Sequence, residues 1–239
     1  MINTLITSGL KAAVLGLGAT LIVGCATSEP TIDTSADESK MSFDGMYPVK
    51  GGRMDGAWAR KDFNLESYSK VVLQGVGVEY RPGGSSNRRY NSTGPDGHYE
   101  LTDEQKERFQ AEMADAFREE LAKGQNFEIV EKGGPDVLLV RGALLDVVSF
   151  VPADPVGNAD IYINRVGEVT LVLELRDSVS NAILLRAVDR RAAEDTARGF
   201  THSNSVSTKA EVRRLARTWG QILREALDRY MVAGDEAGE

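Results

Sequence analysis

Between Val166 and Arg176 the chain alternates, with Val169, Leu171, Leu173 and Leu175 on one side and Glu168, Thr170, Glu174 and Arg176 on the other. A period of two predicts a strand with one buried face. After "DSVSN" the chain returns as "AILLRAVDRRAA", which predicts a hairpin closed by a turn over Asp177 to Asn181. That turn would set Leu175 opposite Ile183, Leu173 opposite Leu185 and Glu168 opposite Arg190. Upstream, Ser69 to Tyr80 alternates at Val72, Val76, Val78 and Tyr80 and reads as the first strand. "NFEIVEK" and "PDVLLVRGALLDVVSF" supply two more, the second so continuously apolar that it belongs in the middle of a sheet.

Two segments change period from two to 3.6. "LTDEQKERFQAEMADAFREELAKG" opens with Thr102 and Gln105 in capping-box spacing, carries Phe109, Met113, Ala116, Phe117 and Leu121 along one face, and stops at Gly124. Lys209 to Met231 has Thr208 and Glu211 in the same spacing, then Val212, Leu215, Trp219, Ile222, Leu223, Ala226, Leu227 and Tyr230 at helical intervals. The expected fold class is α+β: a two-layer domain with a mostly antiparallel sheet of about five strands and two amphipathic helices on one face. It should occupy residues 51–232, with 233–239 as a disordered tail.

The N-terminus follows another pattern. After Lys11 comes "AAVLGLGATLIVG", an apolar run of signal-peptide length that is short of the roughly 20 residues needed to span a bilayer. It ends at Cys25, the single cysteine of the chain. Ile22, Val23, Gly24 and Cys25 resemble the lipobox of bacterial lipoproteins. The resemblance implies cleavage after Gly24, a diacylglyceryl (palmitate-type) lipid on the Cys25 thiol and acylation of the new amine. Two or three chains anchor stably where one binds marginally. An aspartate after the cysteine favours retention in the inner membrane of such lipoproteins, and here that position is Ala26. The expected address is the outer membrane, lipid-anchored on its periplasmic face. Residues 1–24 are then the removed signal, and residues 25–50, rich in Ser, Thr, Asp and Glu, read as the lipidated cysteine and a flexible tether. "MYPVKGGRMDGAW" also fits as the first part of the domain, with Trp58 and Phe63 packed on it.

Composition narrows the function classes. The 239 residues carry a net charge of −8, which disfavours a nucleic-acid partner. One cysteine allows no internal disulfide, and with His98 and His202 as the only histidines no metal site is expected; no cofactor is expected either. Both histidines sit in polar context, and no Gly-x-Ser-x-Gly elbow occurs, so no catalytic residue is assigned. "GVGVEYRPGG" lacks the spacing of a phosphate-binding loop. Two places are candidate interaction sites. One is the long loop with Arg81, Arg88, Arg89 and Tyr90. The other is the basic face of the last helix, with Arg213, Arg214, Arg217 and Arg224, for which a solvated face paired with Glu211, Glu225 and Asp228 is the favoured reading.

"WARKDFNLESYSKVVLQGVGVEY", "LTDEQKERFQAEMADAFREEL", "PDVLLVRGALLDV" and "LRDSVSNAILLRAVDRR", behind a lipobox, resemble the bacterial lipoprotein family catalogued as domain of unknown function 3313, from Trp58 to about Arg191. The resemblance rests on structural patterns and implies neither an enzyme activity nor a ligand. Two readings follow. In the first the protein is a non-catalytic binding or assembly module, tethered to the membrane through Cys25, whose partner is an envelope protein or the cell wall. In the alternative it is a hydrolase or transferase acting on envelope polymers.

Overall fold

A mixed sheet crosses the whole molecule. The computed structural model describes residues 29–82, 99–150, 162–163, 165–194, 201–202 and 205–231. In chain order the strands are β1 (Thr31–Ile32), β2 (Tyr47–Lys50), β3 (Gly56–Ala59), β4 (Lys70–Tyr80), β5 (Glu128–Val130), β6 (Val137–Ser149), β7 (Tyr162–Ile163), β8 (Arg165–Asp177), β9 (Ile183–Glu194) and β10 (Thr201–His202). The helices are α1 (Asp103–Leu121) and α2 (Ser205–Tyr230), with a short 3-10 turn at Glu38–Lys40. Eight strands form one sheet in the order β1-β2-β3-β9-β8-β6-β4-β5, and β10 pairs with β7 in a separate two-stranded ribbon.

The fold is α+β with two helices, as the sequence predicts, but the sheet is larger than about five strands and is mixed. β4 runs parallel to β5 and to β6, whereas the β6–β8, β8–β9, β9–β3, β3–β2 and β2–β1 pairings are antiparallel. The parallel pairs have a simple cause: α1, 19 residues long, lies between β4 and β5 and carries the chain back to the end of the sheet where β4 began. The three unforeseen strands of the large sheet, β1, β2 and β3, lie in residues 31–59, and the short β7 and β10 of the ribbon are unforeseen as well. Residues 29–50, expected to be a tether, hold β1 and β2, with Met46 buried and Ser42 and Gly45 closing a turn. A polar composition conceals this because the segment is fixed by pairing to β3, which itself pairs with the distant β9, and by the contact of Asp44 with Arg186.

Both helices cover one face. Val71, Leu138, Val140, Val169, Leu171, Leu173 and Leu175 point from the sheet into a core completed by Met113, Ala116 and Leu121 of α1 and by Val212, Leu215, Trp219, Leu223 and Leu227 of α2. The β8 alternation therefore holds, with the leucines inward. The hairpin register differs from the expected one by two residues: Leu175 faces Leu185, Leu173 faces Ala187 and Glu168 faces Ala192. An irregularity beside Arg176 and Ile183 takes up the difference, and Asn181 closes the turn with φ 59. A shift of two keeps every side chain on its face. α1 has the predicted capping box between Thr102 and Gln105. α2 starts at Ser205, so Thr208 lies inside the helix and is not its N-cap. The helices cross closely at Gly220, where an added Cβ would come within 2.9 Å of the Glu120 Cβ and 3.2 Å of the Phe117 carbonyl oxygen.

Candidate functional site: the open face of the sheet

Placing both helices on one face leaves the other face of the sheet, among the described residues, as a broad outward surface. Register pairing aligns one row across it. Gln74 of β4 faces Arg141 of β6, Arg141 faces Glu174 of β8, Glu174 faces Arg186 of β9, Arg186 faces Trp58 of β3, and Trp58 faces Pro48 of β2. Register partners share a face, so these six residues form one line. The adjacent row is apolar: Ala143, Val172, Val188 and Gly56. Trp58 leans over it, because its ring lies 2.9 Å from where a Gly56 Cβ would stand. Beyond it come Leu145, Thr170 and Arg190.

Glu174 is the centre of the polar row. Its Oε1 accepts from Arg186 Nε at 3.0 Å and its Oε2 from Arg176 Nε at 2.8 Å. Burial favours the protonated acid, but the hydrogen bonds and charges of Arg176 and Arg186 outweigh it, so the Glu174 carboxyl titrates below its ordinary value. Arg186 also holds Asp44 through Nη1 at 3.1 Å and Nη2 at 3.0 Å. This forked pair pins the turn over Ser42 to Gly45 onto the sheet and sets the ring of Phe43, 92% exposed, 4.8 Å from the Arg186 guanidinium carbon.

A second charged group stands at the far end of β6. Asp146, at a register shift and with φ 55, accepts from Arg81 Nε at 2.7 Å and from Arg190 Nη1 at 3.0 Å. Arg190 Nη2 donates to Glu168 at 2.5 Å. The expected Glu168–Arg190 pair thus forms, as a diagonal contact across the shifted register. The Arg81 hydrogen bond outweighs burial and holds the Asp146 carboxyl below its usual range.

The predicted site residues separate into two groups. Gly24, Cys25, Arg88, Arg89, Tyr90 and His98 lie outside the described residues. Arg213 and Arg217 lie on α2 against α1. Arg213 donates to Glu112 at 3.0 Å and to Glu119 at 2.5 Å, and Arg217 approaches Glu119 at 3.7 Å. Arg224 meets Glu120 at 3.3 Å and Asp228 at 3.5 Å, and Arg214 pairs with Glu211. The acidic outer surface of α1 therefore supplies partners that the sequence of α2 does not reveal. Sequence reasoning did not single out Arg141, Arg186 and Asp44 and gave Trp58 only a packing role; the signal for Arg141 and Arg186 is the outward set of the β6 and β9 alternations, but the row exists only through pairing. Among the described residues no group of three or more His, Cys, Asp or Glu side chains could hold a metal ion, and no helix is long and apolar enough to cross a membrane.

The chain belongs to the family described as "Protein of unknown function (DUF3313)", whose model matches residues 37–223. No curated protein matches it. Among solved structures it is similar to a PelC dodecamer from Paraburkholderia phytofirmans, at 12% identity and a TM-score of 0.32 over 66% of this chain and 91% of that one. It is also similar to a Xanthomonas campestris protein of family-model DUF330, at 10% identity and a TM-score of 0.38 over 72% of this chain and 89% of that one. A third is a neuraminyllactose-binding hemagglutinin homolog from Helicobacter pylori, at 10% identity and a TM-score of 0.33 over 70% of this chain and 83% of that one. Likeness this distant carries no functional argument.

Proposed function

We propose that this protein is a non-catalytic binding or assembly module of the bacterial envelope, lipid-anchored through Cys25 to the outer membrane on its periplasmic face. The observation that carries the binding role is the open face: Ala143, Val172 and Val188, all half-buried, lie beside Trp58 between two rows that contain arginines. Aromatic residues and arginines surrounded by aliphatic side chains supply most of the affinity in protein interfaces. The anchor reading rests on Ile22 to Cys25 and the outer-membrane address on Ala26. Arg88, Arg89, Tyr90, Arg213 and Arg217 remain proposed contributors to a partner contact.

Two measurements test the reading. Labelling with a fatty-acid analogue should mark the wild type and leave Cys25→Ser unmarked; equal label in both removes the anchor. A photocrosslinking amino acid placed at Val172 should give a discrete crosslinked species in intact cells, and one at Asp115, exposed on α1, should not. Equal crosslinking from both positions, or hydrolysis of envelope polymers by the purified protein, would overturn the binding role.

A further inference from the structure

Arg141 stands out in the polar row. Its Nε is buried and has no hydrogen-bond partner, the single such side-chain atom among the described residues. The cross-strand neighbour that should satisfy it is Glu174, yet Oε1 of Glu174 is taken by Arg186 and Oε2 by Arg176. Gln74 on the other side is exposed. A buried donor without a partner costs about 1–3 kcal/mol, and more when it is charged. Arg141, Arg176 and Arg186 face two carboxylates, Glu174 and Asp44, which leaves one guanidinium charge unmatched in a protein of net charge −8.

We propose that Arg141 is the recognition point for a carboxylate on an extended acidic segment of a partner protein, laid along the open face. The proposal rests on the binding-module reading and specifies the partner's chemistry. A guanidinium fork donates two parallel hydrogen bonds to a carboxylate, and a partly desolvated site strengthens them. Ala143, Val172 and Val188, in the row two residues along the strands from that of Arg141, take aliphatic side chains of the same segment. That aliphatic row favours a polypeptide over an anionic polysaccharide, whose rings stack on aromatic faces: the two rings at this face, Trp58 and Phe43, both stand beside Arg186, two strands away from Arg141.

The test is fluorescence anisotropy of the purified full chain with a labelled octapeptide of alternating glutamate and valine. Peptides with glutamine or lysine in place of glutamate, and an oligogalacturonate, are the controls. Binding should require glutamate, weaken as salt rises, and fall by at least about tenfold in Arg141→Gln, the loss expected for one charge-assisted pair. Arg108→Gln, an exposed change on α1, should leave it intact. Arg141→Lys should also weaken it, because a point charge does not reproduce the fork, and Val172→Glu should abolish it. The idea is overturned by failure of the glutamate peptide to bind, by equal affinity in Arg141→Gln, or by tighter binding of oligogalacturonate with the same Arg141 dependence. Self-association that depends on Arg141, seen by sedimentation, would assign the face to a second copy instead. Crosslinking at Val172 without peptide binding would leave the binding module standing and remove only this chemistry; loss of both would remove the two together.

Discussion

Trp219 in α2 donates its indole N–H to Oδ2 of Asp189 in β9 across 2.7 Å, with both side chains buried. Asp189 stands at an inward position of its strand, opposite Leu171, where an apolar residue would be expected. Its carboxylate also accepts from Arg191 Nε at 2.5 Å and from the Asp55 amide at 2.9 Å. One buried carboxylate thus ties α2, β9 and the β2–β3 connection together. A buried charge is tolerated only when its lone pairs are occupied.

Removing one donor should therefore cost more than its own hydrogen bond. Trp219→Phe deletes the indole N–H and part of a buried ring, with an expected loss of about 2–4 kcal/mol. Asp189→Ala leaves the indole unpaired and should cost a similar amount. In the double variant the two losses should not add, because they remove the same contact. Urea unfolding midpoints of the three variants check this, and strict additivity would contradict the coupling.

Gly220 permits the α1–α2 crossing. A helix interior normally gains about 1 kcal/mol when glycine becomes alanine. Here the new Cβ would meet the Glu120 Cβ and a backbone carbonyl, neither of which can rotate away. Gly220→Val is expected to destabilise by about 2 kcal/mol despite the relief of backbone entropy. A thermal midpoint equal to the wild type's would show that the helices separate freely.

Acid stability should depend on the polar row. Glu174 titrates below the ordinary 4.5 of a glutamate, the arginine hydrogen bonds outweighing burial. A carboxyl with a depressed folded value contributes stability that is present above its unfolded value and is lost as pH falls through the folded one. The unfolding midpoint should hold between pH 7 and 5 and decline below about 4.5. In Glu174→Gln the decline should be shallower, since one of the linked protons has been removed. An unchanged slope would place the linkage at other carboxylates.

Tyr68 tests the alkaline side. Burial, and then its hydrogen bond to Asp177 Oδ2 at 3.0 Å, push its phenol up to about 12. A raised folded value means that its contribution is complete below the unfolded value near 10 and is lost as pH rises through about 12. Difference absorbance between the wild type and Tyr68→Phe should show one tyrosine ionising near pH 12. The same variant should be less stable by about 1.5–3 kcal/mol at pH 7, the range for a hydrogen bond to a charged group.

The sequence by itself determined the elements whose period is local. β4, β6, β8, β9 and both helices are legible because each carries its own apolar stripe, and α1 carries its own cap at Thr102. It also placed Val169, Leu171, Leu173 and Leu175 inward and Glu174 and Arg176 outward. Tertiary structure decided whatever depends on partners distant in the chain. β1, β2 and β3 are two to four residues long, too short for a period to register, and exist through pairing with β9 and with one another. The tether reading of residues 29–50 gave way at Asp44, which finds Arg186 142 positions away. Arg213 reads as part of a basic face with partners only on its own helix until α1 brings Glu112 and Glu119 against it. The row from Gln74 to Trp58 is likewise invisible in any one segment: each strand contributes a single residue, and only the hydrogen-bonded register lines them up.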